Sequence, residues 1–206
     1  MNTKKIVITL AILCIIANFA AANIVPLKIF NDPDNVYAEE FSVFADVQDM
    51  GTKISFAIHN ESSVYCSVAR VYFDDGLLDS FSEIINQAGK THFTGPATSP
   101  QELPSANSLY LQFETTEGFS MQAGKSDFSN NIPENGVNPG EWVTTVFNLK
   151  SGKTFGDVCA GLEDGSLRVG AHIIAWPNGN SYAAVTPEPT TIALLGIGSL
   201  LLIKRK

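Results

Sequence analysis

The sequence predicts an all-β body, a β-sandwich of jelly-roll-like arrangement with one short helix, set between two apolar terminal segments. Three observations predict it. Apolar and polar residues alternate with period two through much of the central chain. Gly, Pro and Asn turn signals recur between the alternating runs, and helical spacing is confined to one short stretch.

The elements follow in order. Residues 41–47 alternate, and residues 53–59 alternate more cleanly, with Ile54, Phe56 and Ile58 on one face. Residues 64–73 place Ala69, Val71 and Phe73 on one face and stop at a turn, Asp74-Asp75-Gly76. Shorter candidates lie at 77–85, 109–113 and 119–123. Two long ones follow, at 142–149 and at 167–176, where Leu167, Val169, Ala171 and Ile173 are in step. The count is seven to nine strands. Thr154 is placed to cap a helix over 155–162, whose Phe155, Val158, Cys159 and Leu162 fall at helical spacing and whose first turn carries Asp157. Residues 94–108, with Pro96, Pro100 and Pro104, read as a long polar loop. No internal repeat divides the body.

The two ends are built differently. Residues 1–22 carry Lys4 and Lys5, an apolar run from Ile6 to Ile16, and small residues at Ala20 and Ala22, the layout of a secretory signal cut after Ala22 by a signal peptidase. Leu13 before Cys14 does not suit lipid attachment, which needs a small residue there. At the other end, Pro187, Glu188 and Pro189 hold the chain extended, so an apolar helix can begin only after them. The segment 190–203 would span about 21 Å as a helix, short of a hydrocarbon core of about 30 Å. It inserts if the bilayer thins locally and Lys204, Arg205 and Lys206 snorkel to the interface. Both basic ends then stay inside and residues 23–186, the body, lie outside. A plain single-span anchor is the alternative reading of residues 187–206.

Pro187-Glu188-Pro189, the apolar run and the basic tail together resemble the PEP-CTERM sorting signal of bacteria that make extracellular polysaccharide. That resemblance covers about 20 residues. It implies a membrane protease, exosortase, that recognises the motif and releases or transfers the body. It further implies an exported protein, membrane-anchored before processing and then at the cell surface or outside the cell. More loosely, residues 71–76, 136–141 and 167–172 are similar to the ectodomains such signals carry, which implies no enzymatic activity.

Charge and chemistry limit the alternatives. The chain of 206 residues has a formal charge of −8 and a pI near 4.8. Between residues 23 and 186, however, 8 Lys and Arg face 20 Asp and Glu, so the body carries −12. Such a body repels phosphate backbones, which excludes nucleic acid as a partner. Cys66 and Cys159 are the cysteines left after signal removal, and the sequence leaves open whether they pair. His59, His92 and His172 share no metal-ligand spacing. Carboxylate pairs such as Glu114 and Glu117, or Asp74 and Asp75, would be needed for glycoside hydrolysis, but solvated surface charge accounts for them better. Asp32 and Asp34 offer oxygen ligands to calcium, yet without the Gly and distant Glu of an EF-hand loop they read first as a polar turn. Tyr110, Phe119, Trp142, Trp176 and Tyr182 either stack on sugar rings or fill the core. The expectation is a non-enzymatic exported protein without a cofactor. The alternative is a lectin-like module for extracellular polysaccharide, calcium-dependent if Asp32 and Asp34 hold the ion, and a secreted glycoside hydrolase comes last.

Overall fold

The structure, a computed structural model, describes residues 23–32, 34, 36–96, 102–106, 113–127 and 129–187. Ala20, Ala22, Glu188, Pro189, Lys204, Arg205, Lys206 and Tyr110 lie outside the described residues, as does most of the strand expected at 109–113. Among the described residues, no helix is long and apolar enough to cross a membrane.

The described chain is predominantly antiparallel β. Ten strands occur: β1 (Asn23–Ile29), β2 (Val43–Asp49), β3 (Lys53–Asn60), β4 (Ser67–Asp75), β5 (Leu78–Asn86), β6 (Phe93–Thr94), β7 (Ser120–Ala123), β8 (Glu141–Leu149), β9 (Leu167–Ile174) and β10 (Tyr182–Val185). Two helices interrupt them, α1 (Ile132–Asn135) and α2 (Phe155–Asp164). The strands form one continuous order, β5-β8-β3-β2-β1-β10-β9-β4-β7-β6. β1 joins the two halves of that order: its residues 23–27 pair with β2, while Lys28 and Ile29 pair with β10.

The sheet curls round one core and is nearly barrel-shaped. Val43, Ala45 and Val47 of β2, with Ile54, Phe56 and Ile58 of β3, point inward from one half; Leu167, Val169, Ala171 and Ile173 of β9 point inward from the other. A ring cluster joins the halves. Phe73 of β4 meets Phe56 at 5.1 Å and Phe147 of β8 at 4.8 Å between ring centroids, both edge-on, the geometry that aromatic quadrupoles favour. At the two ends of the strand order, Asn86 of β5 takes the place of a peptide group. Its Nδ2 donates to the Phe93 carbonyl at 3.1 Å and its Oδ1 accepts from the Phe93 N–H at 2.7 Å, so β5 and β6 are latched by a side chain.

Helix α2 forms where the capping residue and the spacing put it. Thr154 Oγ1 accepts from the Asp157 N–H and the Asp157 carboxylate accepts from the Thr154 N–H, a reciprocal cap that satisfies two otherwise orphaned donors. Gly165 ends the helix in the left-handed region, φ 79°.

The outer faces of the two halves differ. The segment expected to be a polar loop supplies apolar plugs instead: Leu103 and Ala106, together with Phe113, are buried over Tyr72 of β4 and Ala183 and Val185 of β10. Gly170 of β9 makes room, since a Cβ there would come within 3.0 Å of Leu103 and Phe113 carbons. The outward side of β2, β3, β8 and β5 contains no such second apolar cluster among the described residues.

Candidate functional site

On that second face, one row of side chains crosses four strands. Residues opposite each other in an antiparallel pair point to the same side, and the register aligns Pro26 with Phe44, Phe44 with His59, and His59 with Trp142. The inward neighbours Val43, Ala45, Ile58 and Val143 are buried, so this row points outward. Phe44, His59 and Trp142 are half-buried and Pro26 is exposed. Phe44 and His59 stack at 5.0 Å with planes 9° apart. The row continues on one side into an open groove of about 540 Å³, which Phe44 lines together with Ile24, Pro26, Lys28, Phe41 and Ser42. Polar groups flank the rings. Asp46 Oδ2 accepts from Gln48 Nε2 at 2.9 Å while its Oδ1 is buried without a partner, and Gln87 Oε1 accepts the Trp142 N–H at 3.0 Å.

Phe44 and His59 are absent from the expected aromatic set, although the signal was present: both occupy the outward parity of clearly alternating strands. Three rings of that set fill the core, one of the two uses the sequence left open. Trp176 is 3% exposed, stacked on Tyr37 at 4.8 Å and edge-on to Tyr182 at 5.2 Å. Ala175, at φ 61°, occupies the left-handed region just before it. Tyr182 and Phe119 are also buried, the latter 5.0 Å from Phe147. Only Trp142 of that set is placed to meet a ligand among the described residues.

The other candidates hold the fold together. Cys66 and Cys159 are free thiols, so the bridge left open by the sequence is not formed. Cys66 is fully buried beside Asn60, whose Nδ2 donates to the Cys66 and Val137 carbonyls at 3.0 and 2.9 Å, and burial raises the thiol's pKa. Asp32 Oδ2 accepts the Val36 N–H at 2.8 Å, closing a polar turn, and Asp34 is exposed nearby. Among the described residues no three His, Cys, Asp or Glu side chains gather as metal ligands. Asp74 pairs with Arg168 and accepts the Glu114 N–H at 3.1 Å. Asp75 accepts the N–H groups of Leu77 and Leu78 at 2.6 and 2.7 Å, and burial nevertheless raises its pKa. Glu114 and Glu117 are exposed.

The chain ends are positioned by β1 and β10. Lys28 and Ile29, at the end of β1, pair with Val185 and Ala184 of β10. Thr186 is 1% exposed and locked to β9, its N–H donating to the Val169 carbonyl at 3.0 Å and its Oγ1 accepting the Val169 N–H at 3.2 Å. Pro187 follows directly. The chain matches no protein-family model, no curated protein and no solved structure.

Proposed function

We propose that the chain is an exported bacterial protein of the cell surface or extracellular matrix, carried to its place by a PEP-CTERM signal that an exosortase processes. The observation that carries this reading is at the C-terminal boundary of the body, where buried Thr186, hydrogen-bonded to Val169, leads directly into Pro187 of the Pro-Glu-Pro motif. β1, described over Asn23–Ile29, follows the expected cut, so signal removal leaves these residues in the body. We read the halves β5-β8-β3-β2-β1 and β10-β9-β4-β7-β6 as the two layers of a jelly-roll-like sandwich, with residues 190–203 as a membrane helix before processing. The body acts without catalysis, a reading supported by the use of Asp74 and Asp75 as structural acceptors.

The test follows the body in cells. Deleting residues 187–206 is expected to release it unprocessed into the medium, and Glu188→Gln to leave uncut, membrane-bound chain. Normal processing of Glu188→Gln, or the same outcome in cells without exosortase, would overturn the sorting reading. A second reading, a polysaccharide-binding module, is favoured by the half-exposed ring-bearing face.

A further inference from the structure

We propose that this half-exposed face binds an uncharged polysaccharide, laid across β1, β2, β3 and β8 with its sugar rings against Phe44 and Trp142. Three observations carry this. First, the row Pro26, Phe44, His59, Trp142 presents flat, partly exposed surfaces on successive strands, about 4.8 Å apart in the sheet. The C–H face of a hexose is apolar, and stacking it on a ring removes apolar surface from both partners from water. Because Phe44 and His59 stack on each other, the groove wall at Phe44 and the indole of Trp142 are the surfaces left for a ligand. Second, the polar groups flanking the rings suit hydroxyls. Thr144, opposite Ala57 in the next row, brings a group that both donates and accepts, and Gln48, exposed beside Asp46, brings an amide that does the same. Third, charge selects the polymer. A body of −12 repels anionic chains, while the face itself carries few charges, Asp46, Lys53 and Glu83 among its outward positions. Protein–protein docking is the less suitable use, since the groove is open and the rings are half-buried rather than protruding.

This site deepens the polysaccharide reading given above and rests on it, but not on sorting, because it is tested in solution. The body 23–187 is suitable because it contains every described strand and core residue. Its migration is measured in native gels containing hydroxyethyl cellulose, soluble starch or a β-1,3-glucan, with alginate as the anionic polymer. Retardation by at least one neutral polymer and none by alginate is expected. Phe44→Ala and Trp142→Ala should each weaken binding about tenfold or more, Trp142→Phe should retain it, and Tyr65→Ala, an exposed ring off this face, should leave it unchanged. Thr144→Arg blocks the middle of the face without removing a core group and should abolish binding in a chain whose melting is unchanged. The proposal is overturned if no neutral polymer retards the body, if alginate retards it equally, or if Thr144→Arg and the ring variants bind like the parent. Failure here leaves the sorting experiment unaffected, and failure of sorting leaves this result standing.

Discussion

His172 illustrates what one buried side chain does to stability. It lies on the outward side of β9, opposite Ala183 on one strand and Arg70 on the other, with Nδ1 buried and without a hydrogen bond. Burial, then the Arg70 charge, hold its pKa below the ordinary histidine range. The unfolded chain therefore takes up a proton more readily, and stability falls as pH drops through that range. Thermal midpoints are expected to decline between about pH 7 and about pH 5, and His172→Gln should flatten that part of the curve. Asp75, raised by burial, acts in the opposite sense nearer the carboxylate range. The thiols give a second test at this scale: the unfolded body should release two thiol equivalents per chain without reductant, one for Cys66 and one for Cys159. Zero equivalents would mean a bridge. Gly170 gives a third. Gly170→Ala pushes a methyl against Leu103 and Phe113 and should cost about 1–3 kcal/mol in urea unfolding. Legibility at this scale depended on how far away a partner lies. Inward Ile54, Phe56 and Ile58 were readable from alternation, whereas the burial of Trp176 depends on Tyr37, distant in sequence.

Among the elements, those with one wet face were legible and those without were not. β2 alternates because one of its sides is the wetter one, while β4 and β9 were readable from their inward residues although part of their outer side lies under the apolar plug. β10 does not alternate, since all four of its residues are buried between the core and the apolar plug of Leu103 and Phe113. β1 carries Pro26 and Lys28 across its change of partner, and β6 has only two residues held by Asn86. Local chemistry made α2 readable, and it is also testable. Thr154→Ala removes the reciprocal cap and should destabilise the body by about 1 kcal/mol, measured by denaturant unfolding. The candidate face was half-legible: Trp142 was singled out, but its row with Phe44 and His59 exists only once β2, β3 and β8 are set in register.

Across the whole molecule, the ring cluster of Phe56, Phe73 and Phe147 makes the two halves one cooperative unit. Heat or urea should unfold the body in a single transition seen alike by far-UV and near-UV signals. Phe147→Ala, which leaves a cavity between the halves, should cost about 3–5 kcal/mol without splitting that transition. A chain lacking residues 23–29 should lose it, because β1 alone pairs with both β2 and β10.

The pairing of β10 with β1 on one side and β9 on the other also has a mechanical meaning. On the proposed anchoring and binding, a body held by its tail while its ring-bearing face grips a polymer would be loaded along β10, parallel to the strand. Its hydrogen bonds to both neighbours then bear the pull together, in shear, rather than opening one at a time as in a peeled hairpin. Thr186, stitched to Val169 at the loaded end, is the first grip on that load. Endurance under flow is thus set by how fast this strand yields, a rate rather than an equilibrium.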